Sequence, residues 1–237
     1  LRLRSPAEVV DEIEAALHQF KPEAFEFVDS VFNDPLDHCQ KILEEIIRRP
    51  WKARFTTMGV SPKNLDSQFL HLMQRAGFTS FMISPESASE TMLTSYQKGF
   101  HTDDLHRAAE AINRFAFPVL WNFLIGGPGE TNRTLEESLA FIEQYLVRKP
   151  GPPHNLANIF LGVGIYPGTK LWQIALEEHF VHDQSSPLRP LWYLSRELDL
   201  DVTIRQLYRA ACRRPEITLG GMEKYMPLTK IFGVMGK

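Results

Sequence analysis

The chain has 237 residues, 43% of them hydrophobic and 23% charged, with a formal net charge of −3. That length holds one large α/β domain, or a domain with an appendage, and buries a substantial core. The charge balance argues against a surface dedicated to nucleic acid. No apolar run approaches the roughly 18 residues that cross a bilayer, so a cytoplasmic protein without a membrane role is expected.

The opening LRLRSP lacks the build of a signal peptide and does not begin with Met, so the chain is read as a piece of a longer polypeptide. Ser5-Pro6 followed by Ala7, Val9, Val10, Ile13, Ala16 and Leu17 predicts an N-capped amphipathic helix. Phe25 to Phe32 is a short aromatic and β-branched run, hence a strand. Leu36 to Arg49 returns to helical spacing until Pro50 stops it. Ala53 to Met58 predicts a strand, and Leu65 to Ala76 a helix closed by Gly77 as C-cap.

Phe78 to Ser84 is the next strand, and Ser89 to Tyr96 and Thr102 to Phe115 are helical pieces broken near Gly99. Phe117 to Ile125 predicts a strand and Thr131 to Arg148 a long helix. After a Pro/Gly loop, Ala157 to Gly164 is a strand and Thr169 to His179 a helix. Strands alternating with helices of this length imply βαβ units and a parallel sheet. From about Phe180 the alternation stops. One more helix is expected at Asp201 to Arg213, where Arg205, Arg209, Arg213 and Arg214 read as a solvated face.

Cys39 and Cys212 lie far apart and have no partner at metal-ligand spacing, so they read as buried or half-buried thiols. The eight histidines form no HxH or HxxxH pair, and no zinc or di-iron site is expected. No G-x-S-x-G elbow occurs. No catalytic residue can be assigned from the sequence.

Four strand ends stand out, and in a parallel β/α architecture such ends open onto one face. Asp29-Ser30 places a carboxylate late in an apolar run, where burial needs a partner or a cap. Thr56-Thr57-Met58-Gly59 offers hydroxyls and a glycine that suit either a ligand or an ordinary turn. Glu86, among Ser84, Ser87 and Ser89, suits ribose hydroxyls or a helix-capping cluster equally. Gly126-Gly127-Pro128-Gly129-Glu130-Thr131 supplies free amides but lacks the Lys and spacing of a Walker motif. A matching turn, Tyr166-Pro167-Gly168-Thr169, follows the last strand.

The ordered series RLRSPAEVVDEIEAAL, FEFVDSVFN, LDSQFLHLMQRAGFTSFMISPESAS, YQKGF, FLIGGPGET and VGIYPGTKL resembles the radical S-adenosylmethionine superfamily. It is most similar to the branch that often carries an upstream cobalamin-binding domain. The resemblance covers roughly Arg2 to Leu171. It implies a partial (β/α)6 TIM-like barrel over 1–180 with its first strand missing, and a mainly helical C-terminal appendage over 181–237. It also implies an iron–sulfur cluster held by a CxxxCxxC loop and reductive cleavage of S-adenosylmethionine to a 5′-deoxyadenosyl radical.

That loop is absent, so the 4Fe-4S ligands are expected outside this chain, and the chain alone is expected to be inactive. Cobalamin is a further cofactor the branch admits, with methyl transfer or rearrangement as the outcome. The implied partners are a small-molecule substrate and an electron donor such as flavodoxin or ferredoxin. Carried over by position, Asp29 and Ser30 meet the methionine amino group, and Thr57 stands at the next strand edge. Glu86 takes the ribose hydroxyls, Lys98 the methionine carboxylate, Gly126 and Gly127 pack near adenine, and Tyr166 flanks adenine or substrate. Ser30 and Gly59 depart from the acidic residues usual at their positions. A rival reading is a degenerate barrel that binds a nucleoside or a protein partner without redox chemistry. Another is a hydrolase or lyase using Asp29 and Glu86 as acid and base.

Overall fold

The computed structural model describes residues 3–115, 117–147, 155–182 and 191–220. In chain order the elements begin with helix α1 (Pro6–Phe20), strand β1 (Phe25–Phe27), α2 (Leu36–Arg48) and β2 (Phe55–Thr57). A 3-10 turn (Pro62–Asn64) leads into α3 (Ser67–Ala76), β3 (Phe78–Glu86), α4 (Glu90–Ser95), α5 (Thr102–Phe115) and β4 (Val119–Ile125). Helix α6 (Asn132–Phe141) continues as a π turn (Ile142–Leu146), before β5 (Asn155–Leu161) and β6 (Val163–Gly164). The chain then forms α7 (Lys170–Glu177), β7 (Trp192–Tyr193), α8 (Leu200–Arg213) and β8 (Ile217–Gly220).

Six strands form one sheet in the order β1-β2-β3-β4-β5-β8, with parallel pairing of β1 with β2, β2 with β3 and β5 with β8. β6 and β7 make a separate antiparallel pair. This is the parallel α/β architecture that the alternation of strands and helices predicts. β8 lies in the segment read as an appendage, yet it supplies an edge strand of the main sheet. The chain divides into two compact units: residues 1–84, 100–121 and 148–155, and residues 85–99, 122–147 and 156–237.

In the first unit, Ser5 caps α1 through a capping box with Glu8, and Gly77 ends α3 at φ 97°. Phe25, Phe27, Phe32, Phe55 and Phe78 stack with ring centroids 4.8 to 5.9 Å apart. Cross-strand aromatic pairs of this kind are the main stabilising unit of a sheet, and fully burying one Phe contributes roughly 1.5–3 kcal/mol. The buried Trp121 indole donates to Asn155 Oδ1 at 3.0 Å, and Asn155 Nδ2 donates to Asn113 Oδ1 at 2.8 Å. No polar group of that core tryptophan is left unpaired.

In the second unit, Thr131 caps α6, Thr169 caps α7 and Asp199 caps α8. Ile165, Ala175, Val181 and Tyr193 form a core, where the Tyr193 hydroxyl donates to Glu178 Oε2 at 3.0 Å. Burial, reinforced by that carboxylate, pushes the Tyr193 phenol up to about 12.

Candidate functional site

The second unit contains Glu86, Lys98, Gly126, Gly127 and Tyr166. Glu86 closes β3 in the left-handed region at φ 63°. For a residue with a Cβ this conformation costs about 1–2 kcal/mol, and such residues cluster at functional sites. Its carboxylate pairs with Lys98, both side chains being about three-quarters buried. Burial raises the Glu86 carboxyl above its ordinary value, while the Lys98 ammonium pulls it back. Lys98 is placed by a turn after α4: Gln97 and Gly99 are also left-handed, at φ 53° and 72°, and Lys98 N–H donates to the Leu93 carbonyl at 3.1 Å.

The neighbouring serines do other things. Ser87 Oγ meets Ser138 Oγ at 3.0 Å, Ser138 Oγ accepts the Ala88 N–H at 3.0 Å, and Ser87 Oγ accepts the Ser89 N–H at 3.1 Å. These bonds lash the loop to α6. Ser89 occupies the N-cap of α4 without a side-chain cap bond, and its buried hydroxyl has no partner. Glu86 itself caps nothing, because its side chain is turned to Lys98.

Gly126-Gly127 turns sharply around Glu130, a fully buried carboxyl. Glu130 Oε2 accepts the Gly126 N–H at 2.6 Å, while its Oε1 is buried without a partner. Burial pushes the Glu130 carboxyl up to about 7, against the pull of the Gly126 and Gly127 amides and the Tyr96 hydroxyl. Gly126 is left-handed at φ 107°, and a Cβ on Gly127 would run into the Tyr96 phenol. The Tyr96 hydroxyl donates to the Leu124 carbonyl at 3.4 Å. Burial raises this phenol, and the charges of Glu130 and Glu86 add to the effect. Tyr96 thus packs against the glycine turn, and the charges of both carboxylates act on its phenol.

The sequence reading missed Tyr96 and Glu130, although both fall within quoted motifs. A tyrosine two residues before a lysine and a glutamate in a Gly/Pro turn carry no distinctive local pattern. Tyr166 is 67% exposed, and its carbonyl accepts the Thr169 hydroxyl at 2.7 Å. Its ring covers Gly164, where a Cβ would approach the Tyr166 ring at 3.1 Å and the Trp192 ring at 3.5 Å.

The first unit holds Asp29, Ser30 and Thr57. β1 ends at Phe27, so Asp29 lies in the following loop and is exposed. It bears no burial penalty, and the inference of a ligand drawn from that penalty lapses. Ser30 is also exposed, and its carbonyl lies where a Cβ on Gly59 would sit. Glycine at 59 thus answers a backbone approach within the protein. Phe32 N–H donates to the Gly59 carbonyl at 2.7 Å. The buried Asn33, not singled out in the sequence, accepts the Ser61 N–H at 2.7 Å and donates to the Ser61 carbonyl at 2.9 Å.

Thr57 is buried on the same side of β2 as Phe55, and its Oγ1 has no hydrogen-bond partner. Cys39 is buried with its thiol raised, chiefly by burial and further by the Asp29 charge. Cys212 is exposed, not half-buried as read from sequence: it sits near the end of α8, whose buried positions are Thr203, Ile204 and Leu207. Among the described residues no group of three His, Cys, Asp or Glu side chains converges, and no helix is long and apolar enough to cross a membrane.

The family model "Radical SAM superfamily" matches residues 1–142. An uncharacterized methyltransferase of Pyrococcus horikoshii is 21% identical over 229 residues, covering 92% of this chain and 47% of that protein. The anaerobic magnesium-protoporphyrin IX monomethyl ester cyclase of Rubrivivax gelatinosus is 28% identical over 141 residues, 58% of this chain and 25% of that protein. The chain thus spans half or less of the curated relatives it matches. The structure of the radical S-adenosylmethionine methyltransferase TsrM from Kitasatospora setae, with cobalamin and a [4Fe-4S] cluster bound, superposes with a TM-score of 0.74. It shares 19% identity and is covered over 92% of this chain and 49% of its own, a likeness that establishes the fold.

Proposed function

The chain belongs to the radical SAM superfamily, and from that premise we propose that its second unit binds S-adenosylmethionine in a cobalamin-dependent methyltransferase. The observation that carries the reading is Glu86: a strained, three-quarters-buried carboxylate pinned by Lys98 at the end of β3. The residues present suit the nucleoside. One Glu86 oxygen is engaged by Lys98, leaving the carboxylate free to accept from a ribose hydroxyl. The Lys98 ammonium has three hydrogens and can serve the methionine carboxylate while holding Glu86. Tyr166 offers an exposed ring for adenine or substrate. Bound S-adenosylmethionine supplies a transferable methyl group and a cleavable sulfonium. The methyltransferase matched in Pyrococcus horikoshii and the cobalamin in TsrM support this outcome over rearrangement.

An iron–sulfur cluster does not fit the residues of this chain. Its cysteines are one buried and one exposed thiol, and no ligand group converges among the described residues. The thiolates of a cluster, and an electron donor, would therefore be supplied from outside these residues.

The test uses the full-length gene product, reconstituted anaerobically with iron, sulfide and cobalamin. Reductant-dependent formation of S-adenosylhomocysteine or 5′-deoxyadenosine is expected, and neither product would sink the enzymatic reading. If S-adenosylmethionine still binds, the rival nucleoside-binding barrel gains. In that protein Glu86→Ala should weaken S-adenosylmethionine binding by about 1–3 kcal/mol, the usual loss when buried polar partners are left unpaired. Calorimetry showing unchanged affinity would remove Glu86 from the site.

A further inference from the structure

The strands of the second unit bury alternate side chains, Phe123 and Ile125 on β4 and Ile159 and Leu161 on β5. The intervening positions are only partly covered, and three of them form a polar row. Asn122 on β4, Asn158 on β5 and Thr218 on β8 stand on adjacent strands, Asn158 directly in register with Thr218. Thr218 Oγ1 donates to Asn158 Oδ1 at 3.0 Å, and Asn158 Nδ2 donates to Asn122 Oδ1 at 3.4 Å. The ladder fixes the Asn158 amide and uses one of its hydrogens and one of its oxygen lone pairs. A second hydrogen and a second lone pair remain on the same amide.

Two residues along β5, Phe160 completes the surface. It is in register with Gly220, and a Cβ at 220 would meet Phe160 Cδ1 at 2.7 Å and Cε1 at 2.6 Å. Glycine there lets the ring lie over the edge strand, and the ring remains 37% exposed. Leu156, on the other side of Asn158 along the strand, is 45% exposed. No charged residue stands in the row or beside it on β5. Strands lie about 4.8 Å apart and alternate residues about 7 Å, so the row is about 10 Å long with the ring about 7 Å away. Those spans match one aromatic ring bearing a carboxamide.

We propose that Asn122, Asn158, Thr218 and Phe160 form a binding site for a neutral planar group carrying N–H beside C=O. A primary carboxamide, a lactam or the amide edge of a heterocycle has that chemistry. The amide edge pairs with the donor and acceptor of Asn158, and the ring stacks on Phe160. A carboxylate is disfavoured because the row offers it no cation and an acceptor faces it. The assignment of this ligand as the methyl acceptor, and only that assignment, rests on the function proposed above.

The test titrates the full chain with benzamide, benzoate and toluene, followed by NMR shifts of the Asn side-chain amides. Benzamide is expected to bind in the millimolar range, with benzoate and toluene at least about tenfold weaker. Asn158→Leu should weaken benzamide about tenfold, Thr218→Val and Phe160→Ala several-fold. Asn158→Asp keeps the shape and should turn the preference to benzamidine, which holds the proposal open to refutation if the Leu variant fails to fold. Equal binding of benzamide and toluene, no binding of benzamide, or indifference to both Asn158 variants overturns the site. S-Adenosylmethionine binding is measured on the full-length gene product reconstituted with iron and sulfide. Its absence there, with benzamide selectivity retained, refutes the proposed function and leaves this site standing.

Discussion

The loops after β1 and β2 and the loops after β3 and β4 each follow the C-terminal end of a strand, yet they are built on opposite principles. In the first unit the loops are knit together: Asn33 clamps Ser61 twice, and Gly59 admits the Ser30 backbone. The carboxylates of the loop after β1, Asp29 and Asp34, are left in solvent. In the second unit the carboxylates are taken inside. Glu86 is held in a strained conformation against Lys98, and Glu130 is buried beneath the glycine turn. Close backbone packing explains a glycine without a ligand. Strain and burial at Glu86, whose carboxylate caps nothing in the local fold, point to one.

The sharpest way to break this contrast is through Glu130. Its carboxyl is raised from 4.5 to about 7, so the folded state holds the proton more tightly than the unfolded chain. That stabilisation is fully present below pH 4.5 and is lost as pH rises through about 7. The loss is about 3 kcal/mol. Denaturant titrations across this window should show it in the wild type and a flatter profile in Glu130→Gln. Identical profiles would mean the carboxyl is ionised when buried.

Next in size is Gly59→Ala, which sets a methyl group against the Ser30 carbonyl. A backbone group yields poorly, and a loss of about 2–3 kcal/mol in unfolding free energy is expected. A neutral result would mean the two loops are not packed together. Smaller again is the difference between two substitutions at Glu86. Because φ is 63°, Glu86→Gly should be more stable than Glu86→Ala by about 1 kcal/mol, though both lose the carboxylate. If Ala proves the more stable, the strain is not there. Smallest is Asp29→Asn, an exposed loop substitution expected to shift stability by no more than about 0.5 kcal/mol. A larger change in thermal melting would give Asp29 a structural role it lacks here.

Much of the fold was legible in the chain because its signals are local. Ser5 with Glu8, Gly77 after Ala76 and the run Thr102 to Phe115 each carry their own cap or period, and each became the expected element. β8 was not legible: Ile217–Gly220 is too short to show alternation, and only its pairing with β5 makes it a strand. The candidate site divides in the same way. Glu86 and the glycine turn could be picked out, since strand ends of a parallel sheet share a face, and Lys98 only through the family resemblance. That Tyr96 and Glu130 join them depends on side chains far apart in sequence, as does the row across Asn122, Asn158 and Thr218.

The sequence by itself determined the alternation of elements and the family. Caps, periodicity and ordered motifs are properties of neighbours along the chain. Only the tertiary structure decided which strand-end groups are charged and strained, which are buried structural props, and which are left in water. Those outcomes follow from desolvation and close approach, and both depend on what the fold brings alongside.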